Sequence, residues 1–88
     1  MKDFITKEEF DIIEDLVKKA TCAYTKADAT YYIKALELKK TNFDGYTCIV
    51  FSNLVSSVNR ASGQVEEKER FLYYVDQDLG KLKRLIKK

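Results

Sequence analysis

Near Thr6 the sequence begins a segment whose apolar residues recur every three or four positions. That period places side chains on one face of an α-helix, and its members are Phe10, Ile13, Leu16, Val17, Ala20 and Tyr24. Thr6 and Glu9 have the spacing of a capping box, in which each side chain accepts a hydrogen bond from the other residue's backbone N–H. Ile5 and Phe10 occupy the positions of a hydrophobic staple. The pattern predicts a first helix that starts after Thr6.

A second helix start is indicated at Thr25, which is followed three residues later by Asp28. The apolar stripe that follows consists of Ala29, Tyr32, Ile33 and Leu36. The pattern leaves open whether helices 1 and 2 are separate or form one kinked rod. Residues 42–45 (Asn-Phe-Asp-Gly) predict a turn, because Asp-Gly tolerates positive φ and the aspartate can bond the neighbouring backbone.

Two interpretations compete for residues 46–61. The β-branched and aromatic residues of 46–51 are typical of a strand, and Asp-Gly is also a hairpin signal. Four apolar residues nevertheless fall at i, i+3, i+4 and i+7, a spacing that only a helix gathers on one face: Phe51, Leu54, Val55 and Val58. We therefore expect helix 3 over 46–61.

The last periodic segment runs from Gln64 onward, after a break at Ser62-Gly63. Its apolar positions step by 3, 4, 3 and 4, as in a coiled-coil seam: Leu72, Val75, Leu79, Leu82 and Ile86. This predicts a helix of about 24 residues, roughly 36 Å long at 1.5 Å per residue. The predicted fold is a single all-α domain over 1–88, a bundle of three to four helices with a long C-terminal helix, in which helices 3 and 4 form an antiparallel hairpin.

Composition places the chain among soluble globular proteins, with 45% hydrophobic and 34% charged residues in 88. There is no apolar run of membrane-spanning length and no signal-peptide pattern. Cys22 and Cys48 are the only cysteines, and we interpret both as free, buried thiols. These features predict a cytoplasmic protein.

The residues that most catalytic sites require are missing. The chain has no histidine, the commonest general base and metal ligand. The two cysteines are 26 positions apart and the three glycines do not cluster, which excludes a chelating pair and a phosphate-binding loop. Asp76 with Asp78, or Glu66 with Glu69, are the remaining acid–base candidates, and we interpret them as solvated helix faces. We expect no enzymatic activity, no metal and no cofactor.

Fifteen consecutive residues, Gly45–Asn59, carry no charge. A helix on the outside of a bundle normally has a charged outer face. Either helix 3 is packed on every side within its own subunit, or a second copy or a ligand covers it, because oligomer interfaces are also depleted of charge. We expect a homo-oligomer that forms through helix 3 or helix 4.

Six tyrosines lie close in sequence to basic residues, a combination that suits a stacked, phosphate-bearing ligand. The alternative is that the rings lie in the core with their hydroxyls in water. Tyr31 and Lys34 are one helical turn apart and form the first candidate pair, together with Asn59 and Arg60 near the end of helix 3. The second candidate pair is Tyr24 and Lys26.

Five of the last eight residues are Lys or Arg. One interpretation is a helix C-terminus complemented by positive charge. The alternative is a surface for nucleic acid, an anionic lipid surface or an acidic partner, which would make the protein a small nucleic-acid-binding regulator.

The chain is rich in Lys, Ile, Tyr, Asn and Asp, lacks proline and has fewer than a hundred residues. In this composition and size it resembles small helical accessory proteins of tailed phages with AT-rich genomes. That resemblance implies a location in a bacterial or phage-infected host cell. It also implies sequestration of a nucleotide-like ligand, such as a cyclic nucleotide, or inhibition of a host or defence protein. The chain is also similar in size and helix number to bacteriocin immunity proteins. Neither resemblance assigns a role to any residue.

Overall fold

The computed structural model describes residues 4–63 and 66–87. Its helices are α1 (Lys7–Thr21), α2 (Lys26–Lys39), α3 (Gly45–Ser62) and α4 (Lys68–Lys83), and a 3-10 turn at Lys40–Asn42 follows α2. The predicted all-α bundle is confirmed, and so is the helix at 46–61. Helices α1 and α2 are separate.

Local hydrogen bonds explain where α1 and α2 begin. The amide of Glu9 donates to Thr6 Oγ1 and the amide of Thr6 donates to Glu9 Oε1, both at 3.1 Å, so the predicted capping box is confirmed. The amide of Asp28 donates to Thr25 Oγ1 at 3.1 Å. This second cap starts a new helix four residues after α1 ends, which is why the two do not form one rod.

Helix α3 begins at a tight turn within the predicted turn segment. Asp44 Oδ1 accepts a hydrogen bond from the Gly45 amide at 2.8 Å. Gly45 has a φ of 58°, a left-handed conformation that glycine adopts without steric cost. Phe43, just before this turn, is buried, and its ring lies 5.3 Å from that of Phe51. The turn therefore anchors the start of α3 to the core.

The helices pack as two pairs: α1 packs on α2, and α3 packs on α4. Helices α3 and α4 form an antiparallel hairpin. Apolar side chains of all four helices and of the segments beside them form one core, and its most deeply buried large members are Phe51, Ile5, Ile13, Leu36, Leu54, Leu82 and Val58. No helix within the described ranges is long and apolar enough to cross a membrane.

Helix α4 is shorter than expected. It has 16 residues, against 18 for α3, and Gln64, where the pattern placed its start, lies outside the described residues. Ile86 is not part of the helix, because its backbone forms an isolated parallel bridge with Ile5. The Ile5 amide donates to the Leu85 carbonyl at 3.2 Å, and the Lys87 amide donates to the Ile5 carbonyl at 3.0 Å. The helical periodicity thus continues past the point where the backbone leaves the helix.

The cysteines differ from expectation in their burial. Both are free, but Cys22 is exposed and Cys48 is only half-buried. Cys22 lies at the C-terminal cap of α1, where the chain enters a surface connection. The prediction of burial is therefore wrong for Cys22.

Candidate functional site

One face of α3 is uncovered. Its buried residues face the core, whereas Tyr46 and Ile49 are 60% and 59% exposed. Asn53 and Ser56 continue this exposed face toward the end of the helix. The described part of the subunit therefore does not surround α3. This contradicts the interpretation that the uncharged helix is packed on every side within its own subunit.

A cleft lies on each side of this face. The α2–α3 cleft has a volume of about 370 Å³ and is lined by Glu37, Lys40, Ser52, Val55, Ser56 and Asn59. The α3–α4 cleft has a volume of about 330 Å³ and is lined by Ser57, Arg60, Arg70, Phe71, Tyr74 and Asp78. The second cleft combines two guanidinium groups with aromatic rings.

Cationic, aromatic and acidic side chains follow one another along the α3–α4 cleft. Arg70, Tyr74 and Asp78 follow one another at four-residue intervals on one side of α4, and the first and last are separated by about 12 Å along the helix axis. Ser57 faces Asp78 from α3, and its Oγ donates to Asp78 Oδ2 at 2.5 Å. Arg60 lies one turn further along α3, and because the helices are antiparallel it falls toward the Arg70 end.

Charge in this cleft favours an anion at the arginine end. Two guanidinium groups and one carboxylate line it. Arg70 lies 3.7 Å from Glu67 Oε1, but both side chains are largely exposed, and such a pair contributes little. Within residues 4–63 and 66–87, Arg60 has no ion-pair partner. Both guanidinium groups are therefore available to a negatively charged ligand.

The candidate pair Tyr24 and Lys26 lies at the end of the bundle. Both line a cleft of about 270 Å³, together with Ala23, Thr25, Ser62, Gly63 and Lys68. Tyr24 is fully exposed, so its ring packs against no other part of the cleft. The structure brings the pair together and adds a second lysine, but it does not enclose the ring.

The other four candidate residues are not gathered in one cleft. Tyr31 and Lys34 are exposed on the outside of α2 and line none of the clefts described above, and the Tyr31 ring contacts that of Tyr32 at 5.3 Å. Asn59 lines the α2–α3 cleft and Arg60 lines the α3–α4 cleft. Asn59 and Arg60 are adjacent in sequence but therefore lie in clefts on opposite sides of α3.

Sequence reasoning did not select Arg70, Tyr74 and Asp78 as a site. Their four-residue spacing was a usable signal, because it places them on one helix face. Asp78 was instead interpreted as part of a solvated face. It is half-buried and bonded to Ser57, so that interpretation is incomplete.

Two further regions offer less to a small ligand. A cavity of about 40 Å³ beside Ile13 and Phe43 has room for only a few water molecules. The basic residues near the end of the chain, Lys81, Lys83, Arg84 and Lys87, are exposed, and Lys88 lies outside the described residues. In the described part of the chain, no three Cys, Asp or Glu side chains are grouped as metal ligands.

Comparison of the chain with protein-family models, with curated proteins and with solved structures finds no match.

Proposed function

We propose that this protein is a non-enzymatic binding protein that sequesters an anionic, ring-bearing small molecule of the nucleotide type in the α3–α4 cleft. The observation that carries the proposal is that Arg60, Arg70 and Tyr74 line one cleft. Guanidinium groups bind phosphate oxygens through paired, charge-assisted hydrogen bonds. An aromatic ring beside them offers a stacking surface for a base.

The size of the cleft limits the ligand. Its volume of about 330 Å³ lies at the lower end of the range for small-molecule pockets, roughly 300–1,000 Å³. A mononucleotide suits this volume better than a dinucleotide cofactor does. Sequestration requires only contact, so it needs none of the catalytic groups that the chain lacks.

The proposed biological setting follows from the resemblance to phage accessory proteins. A small protein made in quantity in the cytoplasm lowers the free concentration of a signalling nucleotide simply by binding it. Inhibition of a host or defence protein is the alternative within the same setting. In that case the exposed face of α3 would be the contact surface.

Calorimetric titration with nucleoside monophosphates tests the ligand proposal. We expect R60Q/R70Q to weaken binding by roughly 100-fold, because two charge-assisted contacts are lost. R84Q is the matched control, since Arg84 is the remaining arginine of the chain and is exposed outside the cleft. It should bind like the unmodified protein.

Equal affinity of R60Q/R70Q and the unmodified protein would contradict the proposal. Absence of any nucleotide binding would also contradict it. If the protein binds no nucleotide but retards duplex or single-stranded nucleic acid in a gel-shift assay, the nucleic-acid alternative would replace the proposal. The assay is made at low salt, because phosphate contacts weaken steeply as salt rises.

Self-association is a second candidate property, favoured by the exposed face of α3. Tyr46 and Ile49 are more than half exposed within a stretch that carries no charge. Interfaces between subunits are enriched in aromatic residues and depleted of charge at their centre. Ser52 and Ser56 are small, which would allow a second helix to approach closely. We propose that a second copy of the chain covers this face.

Sedimentation at tens of micromolar tests this second candidate. The unmodified protein should sediment as a dimer or larger assembly, and I49E should sediment as a monomer, because the partner would bury an unpaired charge. L38E introduces the same charge at a residue of α2 that is 72% exposed, and it should leave the assembly intact. A monomeric unmodified protein, or equal effects of the two variants, would rule out this surface.

A further inference from the structure

We infer that the ring bound in the α3–α4 cleft is guanine and that Asp78 is the residue that selects it. The inference rests on the proposed function, since it names the ligand of the same cleft. It starts from the order of the side chains along α4. Arg70, Tyr74 and Asp78 present a cation, an aromatic ring and a carboxylate in sequence over about 12 Å.

A nucleoside monophosphate has a matching order of groups. Its phosphate lies at one end, its base extends away from the sugar, and the Watson–Crick edge of the base is at the far end. With the phosphate at Arg60 and Arg70, the base reaches Tyr74 and its far edge reaches Asp78. The Asp78 carboxylate is thus placed beside the Watson–Crick edge of the base and far from the phosphate, whose negative charge it would repel.

The chemistry of a carboxylate distinguishes the bases. An ionised carboxylate only accepts hydrogen bonds, through two oxygens. Guanine offers two adjacent donors, N1–H and the N2 amino group, which match those oxygens. Adenine and cytosine offer one donor beside an acceptor nitrogen, and uracil offers one donor between two carbonyls. A carboxylate therefore accepts two hydrogen bonds from guanine. With adenine, cytosine or uracil, one of its oxygens would instead face the lone pair of an acceptor atom.

Ser57 holds this carboxylate in place. Its Oγ donates to Asp78 Oδ2 at 2.5 Å across the two helices, which restricts rotation of the carboxylate. Oδ1 and a second lone pair of Oδ2 remain to accept from a ligand. Asp78 is half-buried, and hydrogen bonds in such partly desolvated positions are stronger than in water. Ser57 is thus a positioning residue and Asp78 the specificity residue.

Titration of the unmodified protein with four monophosphates tests the inference without any variant. GMP should bind most tightly. IMP lacks the N2 amino group and should bind roughly tenfold more weakly, the loss expected for one charge-assisted hydrogen bond. XMP has a carbonyl at that position and should be weaker still, because its oxygen faces the carboxylate. AMP should be as weak as XMP or weaker.

The variant D78N should reverse the preference. Its amide N–H can donate to the C2 carbonyl of XMP, so XMP should bind D78N more tightly than GMP does. D76N makes the same chemical change at an exposed residue of α4 outside the cleft, and it should retain the preference for GMP. Circular dichroism establishes that both variants fold, and if D78N fails to fold, the GMP to XMP ratio of the unmodified protein remains decisive.

The outcomes separate the two proposals. If the four monophosphates bind equally, and R60Q/R70Q abolishes that binding, the proposed function stands and the selection of guanine by Asp78 is wrong. If D78N and D76N have the same preference, Asp78 is not the specificity residue. If no monophosphate binds, both proposals fail.

Discussion

Ile5 and Ile86 lie side by side in a parallel bridge that joins segments from opposite ends of the sequence. Ile5 is 1% exposed and belongs to the same core as Leu82. The two backbone hydrogen bonds of the bridge hold Ile5, two residues before α1 begins, against Leu85 and Lys87, which follow α4.

We expect I5A to lower the free energy of unfolding by about 2–5 kcal/mol, because truncating a buried isoleucine leaves a cavity. F4A is the matched control, since Phe4 is the adjacent residue and is 56% exposed. Its effect should stay within about 0.5 kcal/mol. Urea unfolding of both variants measures the difference, and equal effects would mean that the Ile5 side chain is not packed in the core.

Two glycines should respond to alanine in opposite directions. Gly45 has a φ of 58°, so G45A should lower the free energy of unfolding by about 1–2 kcal/mol through left-handed strain. Gly80 lies within α4, and a Cβ there would meet nothing within 4 Å. G80A should therefore raise the free energy of unfolding by roughly 0.5–1 kcal/mol. Thermal unfolding compares the two, and a stabilising G45A would refute the strain at the start of α3.

The pair formed by Lys19 and Asp15 predicts a dependence on pH. A hydrogen bond from Lys19 Nζ to Asp15 Oδ2 at 2.9 Å, and then the charge of Asp15, raise the pKa of Lys19 above its ordinary value. A raised lysine pKa means that the stabilisation is present at neutral pH and is lost as the pH rises through the raised pKa. Because the side chains of Lys19 and Asp15 are both more than half exposed, the effect on stability is small.

An NMR titration of the lysine side chains measures this shift. D15N should return the pKa of Lys19 to its ordinary range. D11N is the control, because Asp11 pairs instead with Lys7, and it should leave the Lys19 titration unchanged. A Lys19 pKa that does not respond to D15N would show that the pair is absent in solution.

The sequence predicted the features that depend on neighbours along the chain. The caps at Thr6 and Thr25 involve residues three positions apart, so local pattern is sufficient to find them. The Ile5–Ile86 bridge was missed because its partners lie at opposite ends of the chain, and the same apolar period that marks α4 continues through Ile86.

In the candidate site, too, the sequence indicates the features that depend on local spacing and not those that depend on packing between helices. Spacing alone places Arg70, Tyr74 and Asp78 on one side of a helix, and Arg60 was selected from its position near the end of α3. Which α3 residues face them depends on the register of α3 against α4, which is set by core packing and not by local pattern. Ser57 therefore had no visible signal before the structure.

The Ile5–Ile86 bridge also has a consequence for the order of folding events. Ile5 precedes α1, whereas its partner Ile86 follows α4, so all four helices lie between them in the sequence. Joining segments this distant in sequence is slow compared with forming local helical contacts. We therefore expect the bridge to close after the local helical contacts have formed, as a late step in folding.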